Sequence, residues 1–225
     1  MLLCLVVACK AAEGQSRSVK ILAEVPVQFG VGYEGKLSNH FSLSVQAGVL
    51  TPPNSTIIIS ILEALGTDEE ITTIFEDAFT FGAVGELGIN YNFGKNYAGV
   101  FIQYIGLHAG DTPADAVESY FGEDLSTYPT RRGRSGTAEP YLSIQSSLLQ
   151  VGLLYGRRFA LSDRLEMATD LGLSANAGSK STLTSETRQL DSLSDEVDQE
   201  LRYYYSHYAF VPSLTFSLAY KLDKR

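Results

Sequence analysis

Tyr204-Tyr-Ser-His-Tyr-Ala-Phe210-Val-Pro-Ser-Leu-Thr-Phe-Ser-Leu-Ala-Tyr220-Lys-Leu222, near the C-terminus, decides how this chain is read. Its even positions include Tyr204, Tyr208, Phe210, Leu214, Phe216, Leu218, Tyr220 and Leu222. Its odd positions Ser213, Thr215, Ser217, Ala219 and Lys221 are small or polar. Side chains of a strand alternate between faces, so the stretch carries one apolar face and one wet face.

The same alternation recurs upstream. Val19 to Tyr33 sets Ile21, Ala23, Val25, Val27, Phe29 and Val31 against Lys20, Glu24, Gln28, Gly30 and Gly32. Phe41 to Val49, Phe79 to Phe93, Tyr97 to Leu107, about Tyr141 to Phe159, and Leu165 to Asn176 supply further strands. In the Tyr141 segment the apolar parity changes, from Leu142 and Ile144 to Leu149, Val151, Leu153 and Tyr155. A bulge or break is therefore expected near Ser146-Ser147. Short turns fall near Gly35, Lys95 and Ser162. Long polar connections span Thr51 to Ala78, Gly110 to Pro140, and Ser179 to Leu201. Alternating strands joined in turn by short turns and long loops are the pattern of a transmembrane β-barrel. The expected fold is all-β, a single antiparallel up-and-down barrel of about eight strands with short helices in the outer loops. Only seven strands are readable, and the last begins near Arg202. On that count the first strand starts at the long-loop end.

Composition agrees with this class. The chain has 225 residues, with 13 Tyr, 20 Gly and no Trp. Its mean hydropathy of +0.01 is what inward and outward faces give when averaged. No apolar run is long enough for a transmembrane helix. The net charge of −9 argues against nucleic acid as a partner. The N-terminus, Met1-Leu-Leu-Cys-Leu-Val-Val-Ala-Cys9-Lys-Ala-Ala12-Glu-Gly14, resembles an export signal ending at Gly14. Residues 1–14 are thus expected to be removed and 15–225 to form the barrel. Val6-Val-Ala-Cys9 also resembles a lipobox that would instead lipidate Cys9. Cys4 and Cys9 are the only cysteines, so a mature barrel starting at Gln15 has no disulfide.

The long loops carry helical signals. Ile58, Ile61, Leu62 and Leu65 recur at helical spacing, and Thr67-Asp-Glu-Glu70 forms a capping box before Ile71, Ile74 and Phe75. Thr112-Pro113 is placed to open a short helix ending at Gly122. The third loop is either a mobile acidic loop or a helix through Leu190, Leu193, Val197 and Leu201.

The polar parity defines the candidate site. Glu24, Gln28, Glu86, Arg158, Glu166, Asp170 and Lys221 are expected to form a polar network in the lumen, with Gln46, Asn90 and Gln103 beside them. An eight-stranded barrel is just wide enough for side chains to fill. Both signs of charge in that space suit a closed, paired interior over a conduit. His40, His108 and His207 are scattered. His207 adjoins Ser206, but consecutive strand residues face opposite sides, so no nucleophile–base pair is expected. Neither a catalytic site, a metal site nor a cofactor is expected. Tyr203, Tyr204, Tyr205 and Tyr208 are read as an aromatic girdle.

These strands, the Gly94-Lys95-Asn96 turn and the closing Phe216-Ser-Leu-Ala-Tyr220-Lys-Leu222 segment resemble small bacterial outer-membrane β-barrel proteins, the class that includes OmpX and the membrane domain of OmpA. The resemblance implies a bacterial outer-membrane location, contact with outer-membrane lipid and lipopolysaccharide, and insertion by the barrel-assembly machinery. In that class the last strand usually ends on an aromatic residue, whereas here Asp223-Lys-Arg225 follows it. Arg131, Arg132 and Arg134 form a basic cluster suited to lipopolysaccharide phosphates. The expected function is non-enzymatic, with structured outer loops that bind a surface ligand, an envelope partner protein or lipopolysaccharide, or that serve envelope structure. A small porin-like channel is the alternative. A soluble lipocalin-like barrel, with its apolar face inside, is a third reading.

Overall fold

A computed structural model describes residues 16–51, 81–113, 117–118, 122, 124–127, 141–185, 189–207 and 210–223. Eight antiparallel strands close into a barrel in sequence order. They are β1 (Arg17–Val25), β2 (Gln28–Lys36), β3 (Phe41–Leu50), β4 (Phe81–Phe93), β5 (Asn96–Pro113), β6 (Tyr141–Ala160), β7 (Leu165–Thr184) and β8 (Phe210–Lys221). One helix, α1 (Asp191–His207), lies between β7 and β8. The export-signal region, the paired helices expected at 54–78 and the arginine cluster Arg131, Arg132 and Arg134 lie outside the described residues.

The eighth strand comes from the segment read as one strand, Val19 to Tyr33. It folds back at Pro26, with Glu24 opposite Gln28 and Ala23 opposite Phe29. Val27 N–H donates to the Glu24 carbonyl at 2.8 Å to close the turn. With this strand added, β1 starts at the short-turn end, beside the end of β8. There Arg17 N–H donates to Asp223 Oδ2 at 2.7 Å, and Leu222 N–H donates to the Arg17 carbonyl at 2.8 Å. The expected start at the long-loop end is therefore corrected.

Three tight connections mark the short-turn end. Gly94 adopts φ +65° in the two-residue turn between Phe93 and Asn96, a conformation that favours glycine. The turn before β3 lies at Leu37–His40, not around Gly35, which pairs with Arg17 and Leu43 inside β2. There Ser38 Oγ accepts from Phe41 N at 3.1 Å, and Ser162 Oγ accepts likewise from Leu165 N at 3.0 Å before β7. A serine hydroxyl thus holds each of these turns in the same way.

The apolar parity faces outward on every strand. Ile21, Val31, Leu153 and Leu171 are 60–64% exposed. Such a continuous apolar girdle is far larger than a soluble monomer presents to water. With polar side chains inside, the soluble reading, which needs the reverse, is overturned. Near the short turns an aromatic belt runs through Phe41, Tyr91, Phe93 and Tyr155, with ring centroids 5.4–6.4 Å apart. Aromatic rings at this level are characteristic of a membrane interface.

Strand lengths are unequal. A tilted strand of about 9–11 residues crosses the hydrocarbon. β1 and β2 have nine residues each, whereas β6 and β7 have 20. The excess of β5, β6 and β7 rises beyond the membrane at the long-loop end as a three-stranded wall. There the interior turns apolar. Leu142, Ile144 and Leu148 of β6 point inward and are buried with Leu50, Val84, Ile105, Leu107 and Leu183. No register shift occurs at Ser146-Ser147: β6 is continuous, and the parity change marks a change of environment within one strand. The irregularities fall on the neighbouring strands: on β7, where Asn176 pairs with Gln150 and Gly178 with Leu149, leaving Ala177 as the extra residue, and on β5 between Ala109 and Thr112.

Helix α1 closes this apolar layer. Leu193, Val197, Leu201 and Tyr205 recur every four residues and are at most 8% exposed, which is the stripe of a helix buried on one face. Beyond Ala175, β7 has lost its partner β8 and presents an open edge. Asp198 Oδ1 accepts from Ser181 N at 2.6 Å and Ser194 Oγ from Leu183 N at 3.0 Å, so α1 occupies the hydrogen bonds of that edge. The helical alternative for the third loop is the one adopted. α1 also absorbs residues 202–207, which the alternation alone places in the last strand. Tyr203 and Tyr205 consequently belong to the helix and not to a membrane girdle, and His207 is helical rather than extended. In the second loop, Gly122 has φ +66° and its N–H bonds the Glu118 carbonyl at 2.9 Å, which ends a helical turn as expected. Thr112-Pro113, however, finishes β5.

Burial in this cap pushes the Tyr205 phenol up from 10 to about 12, against a smaller opposing influence of the Ser146 hydroxyl. The folded state then holds this proton more tightly than the unfolded chain. Its stabilising contribution is complete below pH 10 and is lost as pH rises through about 12. Tyr205→Phe is expected to leave the tyrosinate absorbance change between pH 10 and 11 unaltered, and to differ from the parent only near pH 12.

Candidate functional site in the barrel lumen

All seven residues singled out for the lumen lie on inward parities, but they are distributed over different levels. Nearest the short turns, Arg158 of β6 is a hub. Its Nη2 donates to Glu34 Oε1 at 2.6 Å, its Nη1 donates to Asn92 Oδ1, and its Nε lies 3.5 Å from Glu166 Oε1. Lys221 Nζ reaches Glu166 Oε2 at 3.0 Å. The guanidinium also sits 4.1 Å from the Tyr97 ring centroid. These groups come from β2, β4, β5, β6, β7 and β8, so the cluster ties most of the barrel wall together. Charge-assisted bonds and a cation–π contact satisfy the guanidinium on several sides.

One level higher, the Tyr97 hydroxyl donates to Asp170 Oδ1, which links this acid to the Arg158 cluster through the ring. Tyr97 and Phe101 fill the middle of the barrel because their neighbours on β6 are Gly156 and Gly152. A side chain at Gly152 would occupy the space of the Phe101 ring, and one at Gly156 would meet Tyr97 and Asp170. Above them, Glu86 accepts from Gln46 Nε2 at 2.6 Å and from Gln103 Nε2 at 3.4 Å. Glu24 accepts from Gln28 Nε2 at 2.8 Å, and Ser174 Oγ donates to Gln150 Oε1 at 3.1 Å. Lys20 of β1, its stem laid over Gly32, is a cation whose field reaches Glu24, Glu86 and Asp170. The apolar cap follows directly above.

Sequence reasoning missed Tyr97, Glu34 and Lys20 as members of these clusters. Tyr97 sits at the start of β5, where the alternation is weakest, and Glu34 adjoins Gly35, near which the sequence reading expects a turn. The detectable signal for Tyr97 was the pair of glycines on the facing strand, Gly152 and Gly156. The histidines are dispersed: His40 stacks on Tyr91 at 5.8 Å at the short-turn end, His108 is on β5, and His207 is in α1. Among the described residues no group of three or more His, Cys, Asp and Glu is placed to hold a metal ion.

Outward apolar strands, an aromatic belt and an inward polar packing together define an eight-stranded transmembrane β-barrel. Among solved structures, the chain is similar to a major outer membrane protein from Thermus thermophilus, with 14% identity, 93% of this chain and 100% of that chain covered, and a TM-score of 0.49. It is also similar to CarO2 and CarO of Acinetobacter baumannii, at 10% and 8% identity. Those two matches cover 92% and 90% of this chain and 98% and 96% of those chains, with TM-scores of 0.37 and 0.38. No family model matches the chain, and no curated protein is significantly similar to it in sequence.

Proposed function

We propose that this chain is a non-enzymatic outer-membrane protein whose barrel is a closed anchor and whose wall of β5–β7 with α1 forms the outward binding surface. The observation that carries this reading is the double closure of the lumen. An apolar layer containing Leu50, Val84, Leu107 and Ile144 lies under α1, and the Arg158 cluster lies at the other end. Ion conduction needs a wet path, and an apolar layer at one end with a paired charge cluster at the other supports a closed lumen instead. Short turns on the periplasmic side and long loops outside are the usual orientation of bacterial barrels, which puts α1 at the cell surface and both strand termini, Arg17 and Lys221, in the periplasm. Tyr220, at the end of β8, is the aromatic residue the barrel-assembly machinery would read. The candidate outer partners are lipopolysaccharide, through Arg131, Arg132 and Arg134, or an envelope or surface protein.

Purified protein inserted in a planar bilayer is expected to give no stepwise conductance. Regular unitary steps from the parent protein would replace this reading with the porin-like one.

A further inference from the structure

The barrel's charge is divided between its two ends. At the outer end, α1 carries Asp191, Asp195, Glu196, Asp198 and Glu200 against Arg202. At the short-turn end the exposed cations are Lys36, Lys95, Arg157 and Arg164, facing the acids Asp163 and Asp223. Although the chain is acidic overall, the rim that meets the periplasmic leaflet is therefore locally basic. Basic residues at this level attract anionic lipid headgroups.

Beneath that rim the outward surface is not smoothly convex. An open groove of ≈ 630 Å³ crosses β8, β1, β2 and β3. Its sides are Leu218, Tyr220, Ile21, Val31 and Val45, and Ala47 contributes a small residue to its lining. The lining is almost wholly apolar, which suits a hydrocarbon chain and no polar ligand. At its short-turn end Arg164 Nη1 donates to the Tyr220 hydroxyl at 2.7 Å, and the guanidinium lies 6.0 Å from the Tyr220 ring. Arg164 remains exposed there, with a fork of further donors, and guanidinium matches phosphate geometry well. A cation held at the mouth of an apolar groove has the layout of a phospholipid, with one phosphate at the interface and one chain running toward the membrane centre.

We propose that this groove holds one anionic glycerophospholipid of the periplasmic leaflet, its phosphate at Arg164 and an acyl chain along Ile21, Val31 and Ala47. The inference rests on the reading of the chain as a membrane-spanning barrel with its short turns toward the periplasm. Charge complementarity selects the occupant: a zwitterionic lipid offers the same chains but no net charge to the basic rim.

The test is native mass spectrometry of the detergent-solubilised protein mixed with equal amounts of phosphatidylglycerol and phosphatidylcholine of matched chains. Phosphatidylglycerol adducts are expected to be favoured about fivefold. Arg164→Glu is expected to remove the preference, Ala47→Phe to remove retention of both lipids, and Arg202→Glu, on α1 at the opposite end of the barrel, to change neither. Equal retention of both lipids by the parent, or a preference that Arg164→Glu leaves intact, would overturn the proposal. So would displacement of the lipid by glycerol 3-phosphate at equal concentration, which would mean a free anion site. An unheated gel band that does not shift on boiling would instead remove the barrel reading itself, and each variant is scored only where that shift is retained.

Discussion

Replacing Arg158 with alanine is expected to cost about 3 kcal/mol of barrel stability, because the substitution leaves carboxylates partly buried without their cation. Glu34 loses its 2.6 Å partner, Asn92 its donor and the Tyr97 ring its cation, whereas Glu166 keeps Lys221 at 3.0 Å. The loss should therefore fall mainly on Glu34. The measurement is the urea concentration at which the fast-migrating folded band disappears from an unheated denaturing gel. Combining Arg158→Ala with Glu34→Gln should recover part of the stability, since the orphaned charge is then gone. Arg158→Lys should fall between parent and alanine, because an ammonium cannot serve Glu34, Asn92 and Glu166 from one planar fork. If the single alanine variant matches the parent, the cluster is solvated strongly enough to be energetically neutral.

The second large effect is expected in the cap. Leu193 is fully buried on the inner stripe of α1. Leu193→Ala removes apolar contact and leaves a cavity, a change that costs about 2–5 kcal/mol in a packed core. Here the loss should be local, because α1 packs on β7 above the membrane and the barrel below keeps its own ladder of hydrogen bonds. Limited proteolysis of the folded protein should cut within Asp191–His207 far faster than in the parent, while the heat-modifiable gel shift persists. The same variant is expected to remain non-conducting, since the Arg158 cluster still closes the opposite end. Conductance appearing only on loss of the cap would make α1 a gate and bring back the channel reading.

Much of this architecture follows from period-two alternation, which depends on no partner strand. That is why the lipid-facing and lumen-facing sets, including Glu24, Gln28, Glu86, Arg158, Glu166, Asp170 and Lys221, are legible from residue order. The missing strand was illegible for a definite reason. In the β1–β2 hairpin, paired residue numbers such as 24 with 28 and 23 with 29 have the same parity, so the chain reverses without disturbing the alternation. The turn itself, Val25-Pro26-Val27, carries a single signal, the strand-breaking Pro26, and the valines on either side keep the apolar parity running through it, with Val27 buried in the cap. At Gly94-Lys95 the opposite holds: Leu87 faces Ile102, the parity switches, and the glycine marks the place.

Two further features depend on height above the membrane, which residue order does not encode. Leu142 and Ile144 look out of register only if the whole lumen is polar. In the folded barrel they stand where the interior becomes an apolar cap. Likewise Tyr204, Ser206 and Tyr208 alternate like a strand, yet the four-residue recurrence of Leu193, Val197, Leu201 and Tyr205 prevails. That helical face has a buried surface waiting for it, and α1 itself, through Asp198 and Ser194, takes the β7 edge beyond Ala175 along which a longer β8 would have paired. By itself, the sequence determined that this chain is a membrane barrel and which side chains face lipid, because each residue's polarity selects its solvent locally. Tertiary structure alone decided how many strands close the barrel, that Arg158, Tyr97 and Glu34 meet, and that a helix seals the mouth. Each of these requires groups far apart in the chain to share one enclosed space.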